Sequence, residues 1–239
     1  MVERLDELTD AMTALTGHLD SAPDVGDLLH AVCVEAVRVV PQADMASVTV
    51  IRDRKPETTA YTDKRALQVD QAQYRAGDGP CLRAAANGEV VRVSVATAHE
   101  LWPPFVESAK ELGVRSFLAA PLHVDERLIG AINLFGFAEH GYQDLDEQVL
   151  RLYSLVAESS MRLLRRWQEA NQLAVQLDAA MRNRAVIEQA KGMLMAIHTI
   201  DENAAMARLI TESQNTNVKL RDVATGFVRK MTNAAGGPG

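Results

Sequence analysis

From Asp144 to His198 the sequence runs fifty-five residues without a proline, and its one glycine is Gly192. Proline breaks helices and glycine weakens them, so this run predicts a single helix about 80 Å long at 1.5 Å per residue. Val149, Leu152, Val156, Leu163, Leu173 and Leu177 recur at coiled-coil spacing, with Ser159, Arg166, Ala170 and Ala180 in the remaining seam positions. A neighbouring row through Leu164, Trp167, Ala174 and Met181 is also apolar, as a stutter in the seam would produce. A stripe of this length cannot be buried within one small domain. The expectation is a dimerisation helix, residues 144–181, joining two modules of a homodimer.

The modules differ in charge. Residues 1–181 hold 17 Lys and Arg against 27 Asp and Glu, whereas residues 182–239 hold 8 against 5. An acidic body with a basic end fits nucleic-acid contact confined to that end. The C-terminal part also carries an amphipathic segment, Arg182–Met195, with Ile187, Ala190, Leu194 and Ile197 on its apolar side. Arg184, Glu188, Lys191 and Met195 fall opposite, beside Gly192. A bare backbone flanked by cations suits a phosphate-bearing partner.

Upstream, alternating β-branched residues predict strands at Ala46–Ile51 and Thr58–Tyr61, the latter a hairpin partner across Arg52–Glu57. Further strands are expected at Val90–Val93, Ser116–Leu122 and Leu128–Phe135, with a polar His123–Arg127 turn between the last two. Helices at residues 3–20 and 25–39, around Pro80–Ala86 and at Pro104–Leu112 complete an α+β domain over 22–165. The helix at 3–20 places Leu5, Leu8, Met12, Leu15 and Leu19 in a heptad-like seam, ended by Ser21-Ala22-Pro23-Asp24. After the long helix, Thr199 and Glu202 have capping-box spacing, and Met206, Leu209, Ile210 and Ser213 give the new helix a core face. Asn217 is placed to cap a last helix burying Leu220, Val223, Ala224, Phe227, Val228 and Met231. Residues 234–239 read as a flexible tail.

Two resemblances follow. Ile187-Glu188-Gln189-Ala190-Lys191-Gly192-Met193-Leu194-Met195, Asp201-Glu202-Asn203-Ala204-Ala205-Met206 and Lys219-Leu220-Arg221-Asp222-Val223-Ala224 resemble the ANTAR domain, an RNA-binding module of bacterial antiterminators. Gly77-Asp78-Gly79-Pro80-Cys81-Leu82, Leu101-Trp102-Pro103-Pro104-Phe105, Leu112-Gly113-Val114-Arg115-Ser116 and Arg127–Leu134 resemble a GAF domain of the type joined to ANTAR in actinobacteria. The resemblance implies a GAF sensor (22–165) with a central antiparallel sheet and a three-helix ANTAR domain (182–233), preceded by the N-terminal helix (1–21) that the apolar spacing predicts. It also implies an antiterminator that grips RNA stem-loops in nascent transcripts while the GAF domain senses a small molecule or a protein.

Lys191, Lys219 and Arg221 coincide with ANTAR motif positions and are the expected RNA contacts; Arg184 and Arg208 join them from geometry, with the Gly192 backbone. Gln214, Asn215 and Asn217 are candidate base readers. Asn133 with Tyr142–Glu147 partly matches a cyclic-nucleotide motif, but Asp146 and Glu147 also suit a helix start, and that structural role is the favoured reading.

Catalysis finds little support. His18, His30, His99, His123, His140 and His198 are scattered without metal-ligand spacing, and no cofactor is implied. Cys81 reads as a small buried side chain at a helix start, with a reactive thiol as the weaker alternative; Cys33 reads as core. An acidic N-terminus and the lack of a long apolar run predict a cytoplasmic protein without a membrane partner. The competing readings are a DNA-binding regulator with a helix-turn-helix-like end, and a sensor or scaffold that binds no nucleic acid.

Overall fold

Strand alternation decides the architecture. The computed structural model describes residues 2–21, 24–125, 128–138 and 141–235. Its strands are β1 (Met45–Arg52), β2 (Lys55–Tyr61), β3 (Val91–Ser94), β4 (Ser116–Asp125) and β5 (Leu128–Gly136). They form one antiparallel sheet in the order β2-β1-β5-β4-β3. Its helices are α1 (Val2–Ser21), α2 (Val25–Val39), α3 (Lys64–Ala76), α4 (Pro80–Asn87), α5 (Pro103–Glu111), α6 (Asp144–His198), α7 (Glu202–Thr216) and α8 (Leu220–Ala235). Two compact units result, residues 1–167 and 168–239, with α6 contributing to both.

In the first unit the period of two sorts each strand between two faces. Ala46, Val48 and Val50 of β1, Leu118, Ala120 and Leu122 of β4, and Ile132 and Leu134 of β5 pack with α2 and the first turns of α6. Phe117, Ala119, Ala131 and Phe135 face the other way, against α3, α4 and α5. There Phe117 lies edge-on to both Phe105 and Phe135. The sheet is therefore covered on both faces. Leu15 of α1 is buried in the α2 core and Met12 packs against it, so part of the expected N-terminal seam is internal packing, while the side chains of Leu5, Leu8 and Leu19 lie outside the described ones. Ala22-Pro23, Arg127, His140 and residues 236–239 lie outside the described residues, whereas Ala234 and Ala235, the start of the expected tail, are the last residues of α8.

Several local expectations are corrected. The β1–β2 turn is only Asp53-Arg54, both at positive φ (50° and 63°), a conformation usually given to Asn-Gly. β4 extends to Asp125, so the expected His123–Arg127 turn is shorter. The helix α3 was not foreseen. Val149 is buried in the first unit's core, whereas Leu152 and Leu163 are exposed.

In the second unit, Asp201 rather than Thr199 caps α7, accepting the Ala204 N–H at 2.7 Å, while Thr199 takes positive φ. Asn217 is the left-handed C-cap of α7, not the N-cap of α8. Ala190, Leu194, Ala205, Leu209 and Ala224 form the core of this unit. Ile197 and Ile210 are exposed. Ala205, one position earlier than the foreseen Met206, turns inward instead.

Candidate functional site

The first unit holds a buried polar cluster between the sheet and α3. Asp63 caps α3 by accepting the Arg65 N–H at 2.8 Å, and Gly77 ends the helix in the left-handed region. That phasing turns Asp70, Gln73 and Tyr74 towards the sheet. Asp70 accepts from Ser47 Oγ at 2.6 Å, Thr58 Oγ1 at 3.0 Å and Asn133 Nδ2 at 3.3 Å. The Tyr74 hydroxyl lies 2.9 Å from Thr49 Oγ1 and 2.8 Å from Thr58 Oγ1. Burial pushes the Asp70 carboxyl up to about 7, although the hydrogen bonds from Ser47, Thr58 and Asn133 pull it down. Asn133 Oδ1 is buried without a partner.

The cluster reaches α4 through Gln73, whose Oε1 accepts the Cys81 N–H at 2.9 Å. That bond satisfies an amide at a helix start. Gly79 is required just before it, since a Cβ there would collide with the Gln73 side chain. Cys81 is fully buried, and desolvation raises its thiol well above the ordinary range, as an inert thiol requires. Burial raises Cys33 likewise. Asn133, singled out for a cyclic-nucleotide motif, is thus committed to the cluster. Asp146 accepts the Gln143 N–H at 2.8 Å, a helix-start role.

The polar cluster was missed in the sequence because Asp70, Gln73 and Tyr74, which gather the strand residues Ser47, Thr49, Thr58 and Asn133, ride on α3. The Asp63 and Gly77 caps were the available signal, but α3 buries carboxyl and amide groups where periodicity looks for apolar ones.

In the second unit the expected RNA contacts fall into two kinds. Arg184, Gly192, Arg208, Lys219 and Arg221 are exposed. Lys191 is not: its side chain is 9% exposed, with Nζ 2.9 Å from Glu188 Oε1 and 2.6 Å from Glu202 Oε1. The hydrogen bonds from Glu188 and Glu202 raise its pKa. A phosphate would reach Lys191 only by displacing a carboxylate. Arg221 keeps a partner too, Asp222 Oδ1 at 3.3 Å, although both are exposed. Arg208 lines a groove of about 400 Å³ between α7 and α8, to which buried Leu194 and Leu209 and exposed Lys230 also contribute. Among the described residues, no cluster of His, Cys, Asp and Glu is arranged to hold a metal ion.

A GAF domain family model matches residues 22–158, more than half of the chain. The chain belongs to the GAF family. An ANTAR domain model matches residues 175–228, so a GAF sensor domain is followed by a C-terminal ANTAR domain, the order of a GAF-ANTAR antiterminator. These are sensor and regulatory modules. No curated protein matches the sequence.

Solved structures similar to this chain include the phycoerythrobilin-bound GAF domain of a cyanobacterial phytochrome. It is 13% identical, over 67% of this chain and 97% of that one, with a TM-score of 0.53. The bacteriophytochrome RpBphP3 of R. palustris is 14% identical over 83% of this chain and 46% of its own, at 0.54. The reduced form of fRMsr of Staphylococcus aureus is 12% identical over 64% and 94%, at 0.51. At these identities the likeness shows the fold alone. Among the described residues no helix is long and apolar enough to cross a membrane.

Proposed function

We propose that this GAF-ANTAR protein is a dimeric transcription antitermination regulator whose ANTAR domain binds stem-loop RNA in nascent transcripts. Holding the stem-loop keeps an overlapping terminator hairpin from forming. The observation that carries this reading is the ANTAR match at 175–228 together with the exposed cations Arg184, Arg208, Lys219 and Arg221 on that domain. Exposed guanidinium and ammonium groups pair with phosphate at little desolvation cost. Lys191 belongs to the proposed site in another capacity. It ties α6 to the start of α7 and so fixes the surface that presents Gly192.

The GAF domain, in this reading, senses a small molecule or a protein. A signal there biases the effector only through differential affinity for two arrangements. Exposed Leu152, Leu163, Leu173 and Leu177 support a homodimer through α6.

Binding of the full chain to a pool of hairpin RNAs and to duplex DNA, at matched salt, tests the function. Selective retention of hairpins supports it. Equal or preferential retention of duplex DNA overturns it in favour of a DNA-binding regulator, and retention of neither favours a sensor or scaffold.

A further inference from the structure

We propose that the groove between α7 and α8 takes one unpaired base of the bound RNA, stacked on Phe227 over the bare backbone of Gly226. The proposal rests on the RNA-binding reading and names the part of the ligand that this surface reads.

The first observation is Gly226. It stands in the interior of α8, where glycine is less favourable than alanine. Its φ lies outside the left-handed region, and a Cβ built on it meets nothing within 4 Å. Neither backbone conformation nor internal packing therefore calls for glycine here. What the missing methyl does leave is room in the groove that Gly226 lines.

The second observation is Phe227. It is the sole aromatic residue in 168–239, and it lines the same groove while only half-buried. Sequence-specific RNA recognition uses unstacked loop bases laid on aromatic faces and read along their polar edges. At about 400 Å³ the groove is within the range of small-ligand sites.

The third is the charge around it. Arg208 and Lys230 are exposed cations on the lining, suited to the phosphates on either side of an inserted base. Glu212 and Asp222 also line it. Carboxylates only accept hydrogen bonds, so they favour a base that offers an amino edge and repel a bare phosphate inside the groove. Cations for the backbone, acceptors for the base edge and an aromatic face for its plane together describe a nucleotide rather than a peptide or a second protein copy.

The test begins with a hairpin RNA selected by the full chain from a randomised-loop pool, then remade with an abasic residue at each loop position in turn. One loop position should lose about tenfold in affinity when its base is removed. Gly226→Leu, which fills the groove, and Phe227→Ala should each lose a similar factor, and the abasic RNA should lose nothing further on either variant. Gly226→Ala should melt higher than the wild type and still bind the intact hairpin more weakly, which separates lost recognition from lost folding. If the wild type binds its hairpin but no abasic position is coupled to residue 226, the groove proposal falls and RNA binding stands. If Gly226→Leu alters sedimentation and leaves RNA affinity unchanged, the groove is a protein contact and the proposal is overturned. If no hairpin is retained at all, the RNA reading falls and takes the groove with it.

Discussion

Lys191 Nζ lies 2.6 Å from Glu202 Oε1, joining α6 to the first residue of α7. The bond explains why Glu202 is not an N-capping partner of Thr199: its carboxylate is engaged across the turn, and Asp201 takes the cap. Glu188 completes the clamp from one helical turn back on α6. Replacing Lys191 leaves two carboxylates facing each other. Lys191→Ala should therefore lower the melting temperature of the C-terminal unit, and Glu202→Gln should lower it less. A Lys191→Ala protein that melts like the wild type would return this residue to a purely RNA-facing role.

How far the sequence could be read depended on what each residue type reports. The proline-free run found α6, and apolar periodicity found α8 and the central strands β1, β4 and β5, whose stripes are buried. It missed α3, whose inward groups include Asp70 and Gln73, and with it the polar cluster. Turn chemistry misled where residues adopted conformations that their identity does not advertise. Asp53 and Arg54 take the left-handed region without glycine, and Asn217 uses its tolerance of that region to end a helix instead of starting one. Lys191 is a further case. Its helical position suggested solvent, but a long side chain can lie along its own helix and leave only its tip for partners.

The carboxyl of Asp70 gives the GAF unit a pH dependence of definite sign. Burial pushes it up to about 7, while in the unfolded chain it titrates near 3.9. Between about pH 4 and pH 7 the folded state holds a proton that the unfolded state has released, so stability falls as pH rises through that interval. Asp70→Asn keeps the shape and stays neutral. Urea melts of the GAF transition at several pH values should show the wild-type decline flattened in the variant. Identical slopes would mean that Asp70 is ionised in the fold.

Gly192 is exposed, and a Cβ there meets no neighbour within 4 Å. Alanine should therefore stabilise α6 by about 1 kcal/mol. If RNA approaches that backbone, Gly192→Ala should at the same time weaken hairpin binding. Arg221→Ala, by comparison, should flatten the dependence of affinity on salt by about 0.7–0.9 in slope. A Gly192→Ala protein with both higher stability and unchanged affinity would remove this patch from the interface.

Leu173 and Leu177 are 57% and 56% exposed on α6, which is far from typical for large aliphatic side chains at seam spacing. A second copy of α6 would cover them. Sedimentation of the wild type at micromolar concentration should give a dimer, and Leu173→Glu or Leu177→Glu should shift it to monomer, since a carboxylate in the seam is costly to desolvate. A monomeric wild type would leave the stripe unexplained and end the homodimer reading.

The helix α6 passes from one compact unit into the other without a break. If the GAF signal travels along it, it does so as a rotation or a shift of register between two coiled-coil packings of similar energy, with the paired apolar rows near Ser159–Trp167 supplying the alternatives. Inserting one residue beside Gln172 turns everything downstream by about 100° and should uncouple sensing from antitermination. An insertion of one full heptad keeps the seam in phase and should preserve the coupling. Read-through of a terminator in a reporter strain, with hairpin binding measured on the purified variants, distinguishes the two. Intact RNA binding with lost regulation in the one-residue insertion alone is the expected result. Equal regulation by both insertions would reduce α6 to a tether and require the GAF domain to act by another route.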